Sequence, residues 1–115
     1  MKLMLTFSLF AALAAGPVFA DCAIPEDTVQ IPDGTAATRE EMVAAQKQVV
    51  AYDAAVKAYT DCLAQEQDAK VAAGGDKAKL QVQYSKLNNA EVEKVQQLAD
   101  KFNAELKAYK AKSAG

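Results

Sequence analysis

The sequence predicts an all-α fold: a long antiparallel two-helix hairpin, about residues 38–73 and 76–111, with an extended N-terminal segment tethered along it by a disulfide. Three observations carry that prediction. A run of about 36 residues, Thr38 to Ala73, holds no Pro or Gly and bears one unbroken apolar stripe. A second stripe at helical spacing follows the Gly74-Gly75 pair. The chain's only two cysteines, Cys22 and Cys62, fall one before the first run and one deep inside it.

Residues 1–20 read as a secretory signal peptide. Lys2 precedes an apolar run from Leu3 to Ala15, then Gly16-Pro17, then Val18-Phe19-Ala20, whose small residues stand where a signal peptidase reads. Cleavage is expected after Ala20. The apolar run is shorter than the roughly 20 residues a membrane anchor needs. Asp21 argues against lipid attachment at Cys22, because that modification wants a small residue immediately before the cysteine. The short, lysine-light leader looks Gram-negative, so the expected location is the periplasm, or secretion beyond it. Its removal leaves 95 residues, one domain over 21–115, made of a tether (21–37) and a helical hairpin (38–112).

The tether is extended or irregular by composition. It holds Pro25, Pro32 and the turn signal Pro32-Asp33-Gly34, with Ile24, Val29 and Ile31 as its large apolar residues. In an oxidising compartment two cysteines most often mean one bond, here Cys22–Cys62. Cys62 stands about 36 Å along the first helix, and the chain from Cys22 to Thr38 spans at most about 53–58 Å when extended. The bond therefore requires residues 22–37 to double back antiparallel to the helix, pressing Ile24, Val29 and Ile31 into a groove beside it. A redox-active pair is disfavoured, since reactive dithiols sit close together near a helix N-terminus.

Thr38-Arg39-Glu40-Glu41 has the form of a capping box and starts the first helix. Met42, Ala45, Val49, Tyr52, Val56, Tyr59, Leu63 and Glu66 follow at alternating spacings of three and four, the heptad period of a coiled coil. Polar residues between them, among them Asp53, Asp61 and Asp68, mark a solvated face. Gly74-Gly75 ends the helix, because glycine takes the left-handed cap conformation without a β-carbon clash.

Asp76 can cap the second helix. Its stripe runs Leu80, Tyr84, Leu87, Glu91, Val95, Leu98, Phe102, Leu106 and Tyr109, with Asn88-Asn89 as a place where the helix could distort or restart. Lys107, Lys110 and Lys112 close the arm, where cations favour a helix C-terminus. They are expected to pair with Glu40 and Glu41, or to touch an anionic envelope surface. A tight Gly-Gly connection makes the arms antiparallel neighbours. In the simplest register Leu63 meets Leu87, Tyr59 meets Glu91, Tyr52 meets Leu98, Val49 meets Phe102 and Met42 meets Tyr109. Glu91, the lone carboxylate of its stripe, would then face the Tyr59 hydroxyl, and that pair with the basic tip around Tyr109 makes the candidate interaction site.

Charge is unevenly spread. Residues 21–68 hold ten acids and three bases, whereas 69–115 hold five acids and nine bases, so the arms are electrostatically complementary. The chain has no histidine, which removes histidine bases, Ser-His-Asp triads and histidine-ligated metals. It has no GxGxxG or phosphate loop. No catalytic, cofactor or metal residues are expected, and an enzyme is disfavoured because a slender hairpin lacks a cleft that could desolvate its carboxylates. Nucleic-acid binding is disfavoured by the leader, the acidic first arm and the absence of an aromatic-basic platform.

With its leader, early cysteine, Pro-Asp-Gly turn, Tyr59-Thr60-Asp61-Cys62-Leu63 and closing stretch Phe102 to Lys110, the chain resembles uncharacterised exported α-helical proteins of Gram-negative bacteria. The resemblance implies export and helicity and brings no activity or site residues with it. The expected role is non-enzymatic, structural or protein-interacting, in the cell envelope. Self-association is expected because Val43, Val50, Val82 and Val92 flank the stripes and a simple hairpin would leave them wet. The alternatives are a chaperone-like module that holds an apolar or unfolded ligand, and an inhibitor or adaptor of one secreted enzyme.

Overall fold

The computed structural model describes residues 21–114; the expected leader, 1–20, lies outside the described residues. Two helices, α1 (Arg39–Ala72) and α2 (Lys77–Ala114), pack side by side, and residues 21–38 run along them without regular structure. At ~1.5 Å per residue the helices are roughly 51 and 57 Å long.

Each end of α1 is fixed by the residues that announce it. Thr38 is the N-cap: its hydroxyl accepts the Glu41 amide at 3.2 Å, and the Glu41 carboxylate accepts the Thr38 amide at 2.8 Å. At the other end Gly74 takes φ 97°, Gly74 N–H donates to Val71 and Gly75 N–H to Lys70. That pair of bonds satisfies two carbonyls that the helix end would otherwise leave open. Asp76 opens α2, its carboxylate accepting the amides of Ala78 and Lys79. α2 runs unbroken through Asn88-Asn89. Asn lowers helix propensity by only a few tenths of a kcal/mol, and packing on both sides overrides it.

The core is one side chain deep. At the open end Ala37, Met42, Ala45 and Phe102 form a buried cluster edged by Ile31, Val49, Leu106 and Tyr109. Towards the loop Tyr59, Leu63 and Tyr84 form another, edged by Cys22 and Leu80. The open-end cluster keeps the partners expected from the stripes. At the loop end individual contacts differ: Leu63 clusters with Tyr84, about one turn short of Leu87, and Glu91 bonds Tyr52 rather than Tyr59. The connection is a Schellman cap, in which Gly75 N–H donates back to the Lys70 carbonyl and turns the chain beside the last turn of α1. A β-carbon at Gly75 would stand 2.8 Å from both that carbonyl oxygen and Leu80 Cδ1, which leaves room for glycine alone. Leu87 is displaced to the flank and stays 39% exposed.

The tether runs antiparallel to α1. Cys22 is bonded to Cys62, with Cα atoms 5.7 Å apart, Gln30 N–H donates to Gln48 Oε1 at 2.9 Å, and Ile31 packs at the Met42–Ala45 cluster. Ile24 departs from expectation: it is 62% exposed rather than pressed into the groove, while Val29 and Ile31 are half-buried. Pro25 follows it directly and has no amide to donate, and no hydrogen bond ties residues 23–29 to either helix among the described residues. The tether also clasps α2. Gly34 N–H donates to Glu105 Oε2 at 2.6 Å, and a β-carbon there would collide with the Glu105 carbonyl and stand 3.0 Å from the Tyr109 nitrogen.

Candidate functional site

The most polar part of the interior is built by the middle of both helices. Glu91, 5% exposed, sits on the apolar stripe of α2. Its Oε2 accepts the Tyr52 hydroxyl at 3.0 Å, and its Oε1 accepts the Lys94 ammonium at 2.9 Å from one turn along α2. Both oxygens are thus engaged, which is the condition under which a carboxylate can be buried at tolerable cost. Lys94 keeps half its side chain in water, so the pair reaches from core to surface.

Two tyrosines flank this carboxylate. Burial, then the hydrogen bond to Glu91, pushes the Tyr52 phenol up to about 12. Burial, then the fields of Glu91 and Glu66, raises Tyr59 as well. Both phenols therefore stay protonated through the physiological range. The expected Tyr59–Glu91 contact is replaced by Tyr52–Glu91, with Tyr59 close enough to feel the charge. A neutral phenol hydrogen-bonded to a carboxylate whose other oxygen holds Lys94 ties the middle of the two helices together.

The basic tip lies elsewhere, at the open end. Tyr109 is half-buried against the Phe102 cluster, and Lys107, Lys110 and Lys112 are exposed. The expected pairing with Glu40 and Glu41 is not what the described residues show: Glu41 is spent on the capping box, and none of the three lysines forms an ion pair. Lys112 instead stands near the Pro-Asp-Gly turn. There the Thr35 hydroxyl and amide bond the Asp33 carboxylate and hold it below its usual range, with a smaller contribution from Lys112. The two halves of the candidate site, Glu91 with its tyrosines and the lysine tip, are not brought together.

At the loop end the disulfide packs against Tyr59, Leu63 and Tyr84, and a Glu66 carboxylate oxygen lies 3.5 Å from the Cys22 sulfur. Lys70 bridges that carboxylate and the Tyr84 ring, 3.4 Å from the one and 5.3 Å above the centre of the other. A negative group beside Cys22 is the reverse of the electropositive setting that activates cysteines, which fits a structural bond. No protein-family model, curated protein or solved structure matches this chain.

One surface feature had only a partial signal in the sequence. A shallow apolar groove on α2 near the loop is lined by Ala78, Lys79, Val82, Gln83, Lys86 and Leu87. Val82 was visible as an apolar residue off the stripe. Leu87 was not, because its stripe position predicted burial against Leu63, whose cluster instead holds Tyr84.

Proposed function

We propose that the chain is a non-enzymatic helical protein with a structural or protein-interaction role, exported after cleavage following Ala20 to the periplasm or beyond, and that it associates with itself. The observation that carries this reading is the thinness of the core. No large side chain among the described residues is completely enclosed, while Val43, Val50, Val82, Leu87, Val92 and Ile24 stay in water. Two helices and a tether bury little, and a second copy is the economical way to cover what remains. The disulfide and the leader support an oxidising compartment. No described helix is long and apolar enough to cross a membrane. The exposed lysine tip leaves room for contact with an anionic envelope surface.

The test is the light-scattering mass of oxidised residues 21–115. The expected result is twice the mass of the single chain. A single-chain mass at every concentration would overturn self-association. It would favour the chaperone-like alternative, whose own signature is thermal stabilisation by unfolded protein or lipid.

A further inference from the structure

We infer that self-association uses a knob and a groove at the loop end of the hairpin: Ile24 of one copy enters the Val82–Leu87 groove of the other, and the converse contact forms about a two-fold axis. The inference rests on the self-association proposed above and names its surface. Ile24 is the most exposed large apolar residue described, at 62%, and acids surround it in sequence: Asp21, Glu26 and Asp27, all exposed. The groove offers Val82, 57% exposed, and Leu87 between Lys79 and Lys86. None of these five charges belongs to an ion pair within the described residues. An apolar knob with acids on either side of it along the chain thus has a chemical match in an apolar groove flanked by Lys79 and Lys86. Groove against groove would oppose lysines, and knob against knob would oppose acids, so only the crossed pairing brings opposite charges together.

Both patches lie at the same end of the molecule. Cys22 and Leu80 both pack against the Tyr59–Leu63–Tyr84 cluster, and Ile24 is two residues from Cys22, within about 7 Å of chain. A single two-fold can therefore satisfy both contacts and close the assembly. The knob is positioned by the disulfide. Residues 23–29 have no hydrogen bond to the helices, so the Cys22–Cys62 bond and the Gln30–Gln48 contact are the polar and covalent anchors of the segment, with Pro25 and Val29 half-buried between them. Reduction by an added dithiol, which takes up the bond as its own disulfide and leaves two thiols on the chain, frees Ile24 while the anchors from Gln30 onward remain.

Concentration-dependent light scattering of oxidised residues 21–115 tests this, with helicity by circular dichroism as the check that exposed-site variants remain folded. Ile24→Asp and Leu87→Asp should each weaken association about a hundredfold or more, because about the two-fold each substitution removes two buried aliphatic side chains at once, each worth about tenfold to a hundredfold. Lys86→Glu should weaken it, and adding Glu26→Lys should restore part of the loss. Reductant should weaken the wild-type dimer and leave Ile24→Asp unchanged. A dimer indifferent to Ile24→Asp and Leu87→Asp would overturn this surface and leave self-association standing. Loss of the dimer in Val50→Asp alone would move the interface to the outer face of α1 and also overturn it. An open series of masses would rule out the closed two-fold. A wild-type monomer would end both readings. If that monomer bound phosphatidylglycerol vesicles through Lys79 and Lys86, the patch would be a lipid contact.

Discussion

Glu91 shows how one polar residue on an apolar stripe can set which rows of two helices meet. Lys94 belongs to the same helix and accompanies Glu91 in any register, so the Tyr52 phenol on Oε2 is the bond that depends on how the helices meet, and a shift by one turn would leave that buried oxygen without it. Glu91→Leu should cost about 1–3 kcal/mol by stranding the Tyr52 hydroxyl, and Tyr52→Phe should cost a similar amount by stranding a carboxylate oxygen. The double variant should recover most of the loss, because both polar atoms then leave together; urea unfolding of the four proteins closes the cycle. Alkali gives a second readout. A phenol raised to about 12 favours the folded state below the ordinary tyrosine value and loses that contribution as pH climbs from about 10 through 12. The fall in melting temperature over that window should be shallower in Tyr52→Phe. In the sequence Glu91 stood out as the lone acid of its stripe, yet its partner did not, since Tyr52 and Tyr59 lie one heptad apart and look alike to a periodicity argument.

Among the elements, what was legible is what is local. The capping box, the Gly74 cap and the Asp76 cap each involve neighbours within a few residues, and all three form as the sequence reads. Which tyrosine of α1 reaches Glu91 depends on contacts between the two helices, and no pattern of apolar residues records that. Ile24 was misjudged for a related reason: a covalent bond at Cys22 and an amide at Gln30 fix the two ends of a segment but say nothing of how the chain between them faces. Gly34 is the converse case, a turn residue whose role as a clasp on α2 needed coordinates. Its φ is not positive, so the requirement is one of space. Gly34→Ala would drive a methyl group into helix backbone that cannot step aside, and should destabilise the protein by about 3 kcal/mol. A lower urea midpoint with unchanged helicity in dilute buffer is the expected signature.

For the molecule as a whole, the thin core makes the covalent link a large share of stability. A loop of 40 residues contributes roughly 4 kcal/mol in the chain-entropy model, against a total of about 5–15 for a typical domain. Cys22→Ser with Cys62→Ser should lower the melting temperature by more than any single substitution above, as read by thermal unfolding in oxidising buffer. The ring formed by residues 22–62 also has a bearing on how the molecule is made. Both cysteines and all of α1 precede the loop, so a chain that enters an oxidising compartment N-terminus first carries everything the bond needs before any of α2 has arrived. The last third of the protein would then settle onto a trough already closed at one edge, with Tyr59 and Leu63 on its floor. Assembly becomes a sequence of two short searches in place of one long one.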